Sequence, residues 1–83
     1  MAVRAYILID AHVGRAQSVA TALEGLHSAD IRVVSVDTVT GPHDVILLIE
    51  CDDLDRLAEA ITESVQKVPA VQRTVTCLTV RLA

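Results

Sequence analysis

The chain contains no Phe and no Trp, and Tyr6 is its only aromatic residue. Proteins that hold single-stranded nucleic acid stack its bases on aromatic rings, so this composition argues against such binding. Basic residues are also scarce, because seven Lys and Arg stand against eleven Asp and Glu, for a formal net charge of −4. Phosphate-backbone binding draws its affinity from clustered positive charge, so we expect no direct contact with nucleic acid.

Long apolar runs are missing as well, since Asp10 and His12 interrupt the first one, far short of the roughly 20 residues of a membrane span. No signal peptide is recognisable. Cys51 and Cys77 lie in or beside apolar strand patterns, where a reduced thiol behaves as a small hydrophobic residue. We therefore predict a cytoplasmic protein with two free cysteines and no membrane partner.

The length of 83 residues predicts one domain, spanning 1–83. A domain of this size buries only about two-thirds of its unfolded surface, so its core is marginal. Just over half of the residues are hydrophobic, and without aromatic residues the core must be built from Val, Leu, Ile and Ala. We expect such a domain to associate with itself.

The hydrophobic periodicity predicts the order β-α-β-β-α-β. Apolar runs or period-two alternation, which are typical of strands, occur at residues 4–10, 31–39, 45–49 and 74–82. The first helix should end near His27 or Ser28, and the second, capped by Asp52 or Asp53, should end before Pro69. This order is that of the α+β ferredoxin-like fold, in which two helices cover one face of a four-stranded antiparallel sheet. The other face is apolar here, so we predict that it is buried in a dimer.

The turn between the second and third predicted strands contains the candidate site residues Gly41, Pro42, His43 and Asp44. A free amino acid needs hydrogen-bond acceptors for its ammonium group and donors for its carboxylate. The two polar side chains and the bare backbone of Gly41 provide both, which favours a small-molecule sensor. The local alternative is a plain hairpin connection, in which Asp44 bonds the N–H groups of the turn itself.

Residues for catalysis or metal binding are not grouped in the sequence. His12, His27 and His43 lie in three different segments, which makes a metal site within one subunit improbable. The carboxylates around Asp53 precede an apolar helix, and helix capping explains them. No nucleophile is paired with a base. We therefore expect no metal, no cofactor and no enzymatic activity.

Three segments carry a resemblance to a known family: Tyr6-Ile7-Leu8-Ile9, the stretch from Val36 to Leu47, and the stretch from Val68 to Thr76. Together they resemble the effector domain of the Lrp/AsnC transcriptional regulators, over nearly the whole chain. The family's helix-turn-helix domain has no counterpart here, so the chain resembles the stand-alone version known as a RAM domain.

The resemblance implies domains that pair sheet to sheet into a dimeric α/β barrel and assemble further into tetramers, octamers or larger rings. It also implies amino-acid binding at the contacts between dimers, with Gly41, Pro42, His43 and Asp44 in the pocket and Thr76 as a further member. The chain departs from the family pattern at two positions. His43 stands where an aromatic residue is common, and Ala70 stands where a Gly would tolerate a positive φ.

The predicted function is an amino-acid-binding sensor that modulates transcription through oligomer assembly, either with itself or with a full-length, DNA-binding Lrp/AsnC regulator. The first alternative is a small dimeric α/β-barrel enzyme, such as a cofactor-free monooxygenase, with its pocket inside the barrel. The second is an ACT-type regulatory domain, which has the same element order. Such domains usually bind their amino acid at the loop after the first strand, here residues 10–14.

Overall fold

A computed structural model describes residues 2–26 and 31–80. Its elements are, in chain order, β1 (Val3–Ala11), α1 (Ala16–Glu24), β2 (Ile31–Thr38), β3 (Val45–Cys51), α2 (Leu54–Ala60), a π-helical turn (Ile61–Val65) and β4 (Val71–Leu78). All strand pairs are antiparallel, and the strands lie in the order β2-β3-β1-β4. The predicted ferredoxin-like α+β fold is confirmed.

The sheet has one face covered by the helices, and that face holds the core. Side chains of β1 and β3 alternate between the two faces, as expected for strands. Those on the covered face are Ala5, Ile7, Ile9, Val45, Leu47, Ile49 and Cys51, all fully buried. They pack against Val19, Ala20 and Leu23 of α1 and Leu57 and Ala60 of α2.

Neither of the described helices covers the opposite side of the sheet, which we call the open face. It carries residues that alternate with the core positions, including Tyr6, Leu8, Ile46, Leu48, Val75 and Cys77. Cross-strand pairs join Tyr6 to Leu48 and to Cys77, and Leu8 to Ile46 and to Val75. The centre of the open face is therefore apolar, as predicted.

The first helix is shorter than predicted. It ends at Glu24, whereas the predicted ends, His27 and Ser28, lie outside the described residues. Gly25 closes it, because the N–H groups of Gly25 and Leu26 donate to carbonyls only three residues back. That tight last turn stops the α-helical pattern early.

The second helix is capped as predicted, since the Asp53 carboxylate accepts from the Arg56 N–H at 2.8 Å. Leu57 and Ala60 form its buried side, whereas Leu54 and Ala58 are exposed. In the π-helical turn the N–H of Gln66 donates to the carbonyl of Ile61, five residues back, at 2.9 Å. Val65, the last residue of this wider turn, and Val68, which follows it, are both buried.

The last strand begins at Val71 and ends at Leu78, whereas 74–82 was predicted. A register shift between Asp10 and Ala11 lets β1 pair as far as Val71. Ala70, immediately before the strand, has φ +75°, the backbone conformation that Gly tolerates best. The chain therefore places an Ala at a position that favours Gly.

Candidate functional site

The turn between β2 and β3 is held against the end of β1 through Asp44. The Val39 N–H donates to the Asp44 carbonyl at 2.9 Å, which closes the turn, and the Asp44 N–H donates to the Ile9 carbonyl at 2.9 Å. The Asp44 Oδ2 accepts from the Ala11 N–H at 2.8 Å. The Asp44 carboxylate thus bonds a backbone N–H of β1, whereas the hairpin alternative has it bond the N–H groups of its own turn.

The tip of the turn is bare. Gly41 and Pro42 are exposed, and Gly41 has φ +150°, a conformation that residues with a side chain rarely adopt. A Cβ built at Gly41 would meet no atom within 4 Å, so the requirement for glycine comes from the backbone and not from crowding. The turn therefore presents its main-chain groups to whatever approaches.

The side chain of His43 turns to the open face, away from that of Asp44. His43 Nδ1 lies 2.8 Å from Asp10 Oδ1, and Arg73 Nε donates to Asp10 Oδ2 at 3.0 Å. The hydrogen bond from His43, followed by that from Arg73, lowers the pKa of the Asp10 carboxyl. We call Asp10, His43 and Arg73 the Asp10 cluster. It joins β1, the turn and β4 at one end of the open face.

An open depression of about 600 Å³ lies on the other side of the turn. Asp44 and Thr38 line one wall, and the loop after β1, with the start of α1, lines the other; the loop and helix residues are Ala11, His12, Val13, Gly14, Ala16 and Gln17. Ligand pockets in proteins commonly have volumes of about 300–1,000 Å³. The depression is large enough for a small organic molecule.

The start of α1 gives this depression positive character. No side chain caps the helix, and its first turn contains no acidic residue. The first N–H groups of an α-helix have no partner within the helix, and the helix dipole adds partial positive charge there. Beside them stands the Asp44 carboxylate, whose Oδ1 makes no hydrogen bond within the part of the chain that the structure describes. Donors and one negatively charged acceptor therefore share one depression.

Thr76 does not line this depression. It lies on the covered side of β4, opposite Ile7, and borders a separate, mostly apolar groove of about 370 Å³ between α2 and β4. Leu54, Ile61 and Leu78 line the same groove. Of the predicted site residues, one protomer therefore keeps Gly41, Pro42, His43 and Asp44 on one turn and Thr76 elsewhere.

Several residues of this region were not predicted as site residues. Asp10 appeared in the sequence only as the residue that interrupts an apolar run, and a carboxylate on the uncovered side of a strand was the available signal. No local pattern distinguishes Arg73 from the other basic residues of the chain. The loop of residues 10–14, where an ACT-type domain would bind its ligand, supplies four lining residues of the depression that contains Asp44. Asp44 of the turn and the loop after β1, which were predicted as ligand positions under two different hypotheses, thus line the same depression.

Other kinds of site find no support in residues 2–26 and 31–80. That part of the chain holds no group of three or more His, Cys, Asp or Glu side chains able to bind a metal ion. Nor does it contain a helix long and apolar enough to cross a membrane.

The fold recurs among solved structures. TTHA0845 from Thermus thermophilus is 30% identical, with a TM-score of 0.83 over 98% of this chain and 96% of that one. AsnC of E. coli is 21% identical, with a TM-score of 0.84 over 96% of this chain and 52% of that one. The transcriptional regulator NMB0573 of Neisseria meningitidis, solved as a complex with L-Met, is 16% identical, with a TM-score of 0.80 over 95% of this chain and 50% of that one. At 21% and 16% identity the likeness shows the fold alone.

No curated protein matches the sequence. A family model for the Lrp/AsnC ligand-binding domain matches residues 4–82 of the 83. This family comprises regulatory domains, which favours regulation over the barrel-enzyme alternative. The match covers the sheet, both helices, the turn of residues 39–44 and the loop after β1. The chain belongs to the Lrp/AsnC ligand-binding domain family.

Proposed function

We propose that this regulatory domain senses a free amino acid, bound in the depression between the turn and the start of α1. The observation that carries the proposal is the pairing of the Asp44 carboxylate with the uncapped start of α1 across one depression. The ammonium group of a free amino acid donates hydrogen bonds, which a protein carboxylate can accept. Its own carboxylate is bound well by the N–H groups at the start of a helix. The depression has complementary groups for both.

The bare turn supports the same function. Gly41 and Pro42 leave main-chain groups accessible beside Asp44. Main-chain groups of the protein can recognise the ammonium and carboxylate groups that all free amino acids share. The side chain of the ligand is then recognised by other residues. The L-Met found in the Neisseria regulator shows that a protein of this fold binds an amino acid, and we extend that class of ligand to this chain.

A neighbouring protomer should complete the site. The depression is open, and Thr76 borders a different groove within one protomer. We therefore propose that a protomer from a second dimer covers the depression, and that Thr76 contributes from that neighbour. Ligand would then shift assembly, because it binds the assembled form more tightly than the separate dimers.

The dimer itself is proposed to form through the open face. Tyr6, on the central strand β1, is 44% exposed, and Val75, on the edge strand β4, is 42% exposed, although both lie beside apolar residues of the open face. A second copy laid against this face would remove them from water and bury β3 on both sides. The resulting dimeric α/β barrel would assemble into a larger oligomer.

The regulated partner is proposed to be either this same oligomer or a full-length, DNA-binding member of the family that shares it. Contact with DNA would fall to that partner, since this chain carries a net charge of −4. We also propose a cytoplasmic location, because the exposed Cys77 is a free thiol.

The test is thermal unfolding, followed by circular dichroism because the chain lacks Trp, against single amino acids at millimolar concentration. A ligand at a hundredfold excess over its dissociation constant adds about 2.7 kcal/mol to the free energy of unfolding, so the melting temperature should rise by several degrees. No rise with any amino acid would refute amino-acid sensing.

The site is tested with Asp44→Asn. Asn keeps an oxygen that can accept from the Ala11 N–H and removes the negative charge that the ligand ammonium requires. The variant should melt nearly as the parent without ligand and lose the rise with ligand. Glu59→Gln is the control, since Glu59 is an exposed carboxylate on α2 that does not line the depression. A full response in Asp44→Asn would remove Asp44 from the site.

A further inference from the structure

Two adjacent residues of the turn grip two adjacent residues of β1, on opposite sides of the sheet. On the open face, His43 bonds Asp10 at 2.8 Å. Toward the depression, Asp44 bonds the Ala11 N–H, also at 2.8 Å. The register of the β1–β4 pairing shifts between Asp10 and Ala11, so both contacts fall on an irregular step of the strand. A movement of the turn at Asp44 cannot leave His43 and Asp10 in place.

We propose that Asp10 is a positioning residue that links the turn to the open face, so that the state of the turn at Asp44 changes how tightly two copies pair. The inference rests on one part of the proposed function, the pairing of open faces. It does not require that the ligand be an amino acid.

The Asp10 carboxylate is suited to this role because both of its oxygens are engaged. Oδ1 takes the contact from the turn, and Oδ2 takes Arg73 Nε at 3.0 Å and a second Arg73 nitrogen at 2.9 Å. The Asp10 side chain is only 16% exposed, whereas that of Arg73 is 74% exposed. Asp10 is thus the enclosed centre of the cluster, and Arg73 is its outer part on β4.

The contact also orients His43. A neutral imidazole that bonds a carboxylate through Nδ1 carries its proton there, so Nε2 is left as an acceptor. Nε2 has no hydrogen-bond partner among the described residues. If Asp10 moves, the orientation of this ring and the position of Arg73 change together, and both border the open face.

The open face lies directly beside the cluster. Asp10 pairs with Arg73 across β1 and β4, and two residues along each strand Leu8 pairs with Val75. Val75 is among the exposed apolar residues that a second copy would cover. A shift of Arg73 or Asp10 therefore changes the border of the proposed contact surface.

A second cluster offers an internal control at the opposite end of the open face. Glu50 bonds Arg4 Nε at 3.1 Å and Arg32 Nε at 3.1 Å, in one cross-strand row of β1, β3 and β2. Like the Asp10 cluster, it joins one carboxylate to two nitrogen-bearing side chains, but within the described residues it makes no contact with the turn. Loss of Glu50 should alter pairing without altering the link to Asp44.

The experiment is a double-mutant cycle on the dimer dissociation constant, measured by sedimentation equilibrium without ligand. Asp44→Ala is introduced into three backgrounds, namely the parent, Asp10→Ala and Glu50→Ala, and in each the dissociation constant is compared with that of the background itself. We expect Asp44→Ala to weaken the dimer by about fivefold or more in the parent and beside Glu50→Ala, but by less than twofold beside Asp10→Ala. Asp44→Asn, which keeps the bond to Ala11, should retain the parental constant.

A second readout reports on the ring itself. ¹⁵N NMR of His43 should show the Nδ1–H tautomer in the parent and in Glu50→Ala, and its loss in Asp10→Ala. The same fold-change for Asp44→Ala in all three backgrounds would overturn the inference while leaving the dimer intact. A monomer at every concentration would overturn it together with the proposed pairing, and failure of all amino acids to bind would touch only the proposed ligand.

Discussion

The two faces of the sheet are built from the same strands, often from neighbouring residues, but their side chains are buried to different degrees. Leu47 on the covered face is fully buried, and Leu48, the next residue, lies on the open face with 8% of its surface exposed. Around Leu47 the helices complete the packing. Beside Leu48 its cross-strand partner Tyr6 is still exposed, and farther across the open face Val75 is exposed as well. One face therefore closes a protomer, and the other stays partly exposed in a single copy, which is why we propose that a second copy covers it.

Leu47→Ala should produce the largest effect, because it opens a cavity in the finished core. Large-to-small substitutions of this kind cost about 2–5 kcal/mol. Urea unfolding followed by circular dichroism should give that loss at every protein concentration. Leu48→Ala is the matched partner, and its cost should grow with protein concentration, since its contacts continue into the dimer. Identical concentration dependence for the two variants would remove the distinction between the faces.

Val75→Glu should have the next largest effect, now on assembly. Placing a charge in a surface that a second copy covers costs on the order of 3 kcal/mol in association, so the variant should sediment as a folded monomer. Leu54→Glu is the control, because Leu54 is an exposed apolar residue on the helical side. A Val75→Glu dimer as tight as the parent would show that the copies pair elsewhere.

Ala70→Gly should strengthen the protomer without touching pairing. An L-residue in the left-handed region destabilises the folded state by about 1–2 kcal/mol, and Gly removes this strain. Gly also gives the unfolded chain more freedom, which reduces the gain in the free energy of unfolding by about 0.4–1 kcal/mol. We expect a net gain of about 0.5–1 kcal/mol in the free energy of unfolding, and an unchanged dimer dissociation constant. Ala58→Gly, in the exposed part of α2, should instead lose about 1 kcal/mol. A loss at Ala70 as well would contradict the strain.

The covered face was predictable because the strands that form it carry local apolar patterns. The apolar runs at residues 4–10 and 45–49 are properties of the local sequence, and they correctly predicted strands there, the order of the elements and the apolar open face. The ends of elements were less predictable, since the early stop at Gly25 depends on hydrogen bonds of the last turn and the early start of β4 at Val71 depends on its pairing with β1.

The candidate site was predictable only as a segment. The sequence indicates that Gly41 to Asp44 form a turn, but it does not indicate that His43 and Asp44 reach opposite sides of the sheet. That division is set by partners far along the chain, because Asp10 lies 33 residues from His43 and 63 from Arg73. Such contacts leave no periodic signal. Thr76, predicted from the family resemblance, remains a prediction that depends on a second protomer.

Acid should reveal the smallest difference, between the two ends of the open face. The Asp10 cluster and the Glu50 cluster each lower the pKa of their carboxyl group, through His43 first for Asp10 and through Arg32 first for Glu50. A lowered pKa in the folded state gives stability that is present above the unfolded value, near about 4, and is lost as pH falls through the folded value. Melting temperatures between pH 7 and pH 2.5 should therefore fall steeply only on the acid side, and less steeply in Asp10→Asn and Glu50→Gln.

High salt should weaken both contributions, because the cationic partners are largely exposed and screened. If the pairing of open faces encloses the Asp10 cluster, that end should keep more of its contribution in high salt than the Glu50 end does. Equal salt sensitivity at both ends would place the Asp10 cluster outside the contact between copies.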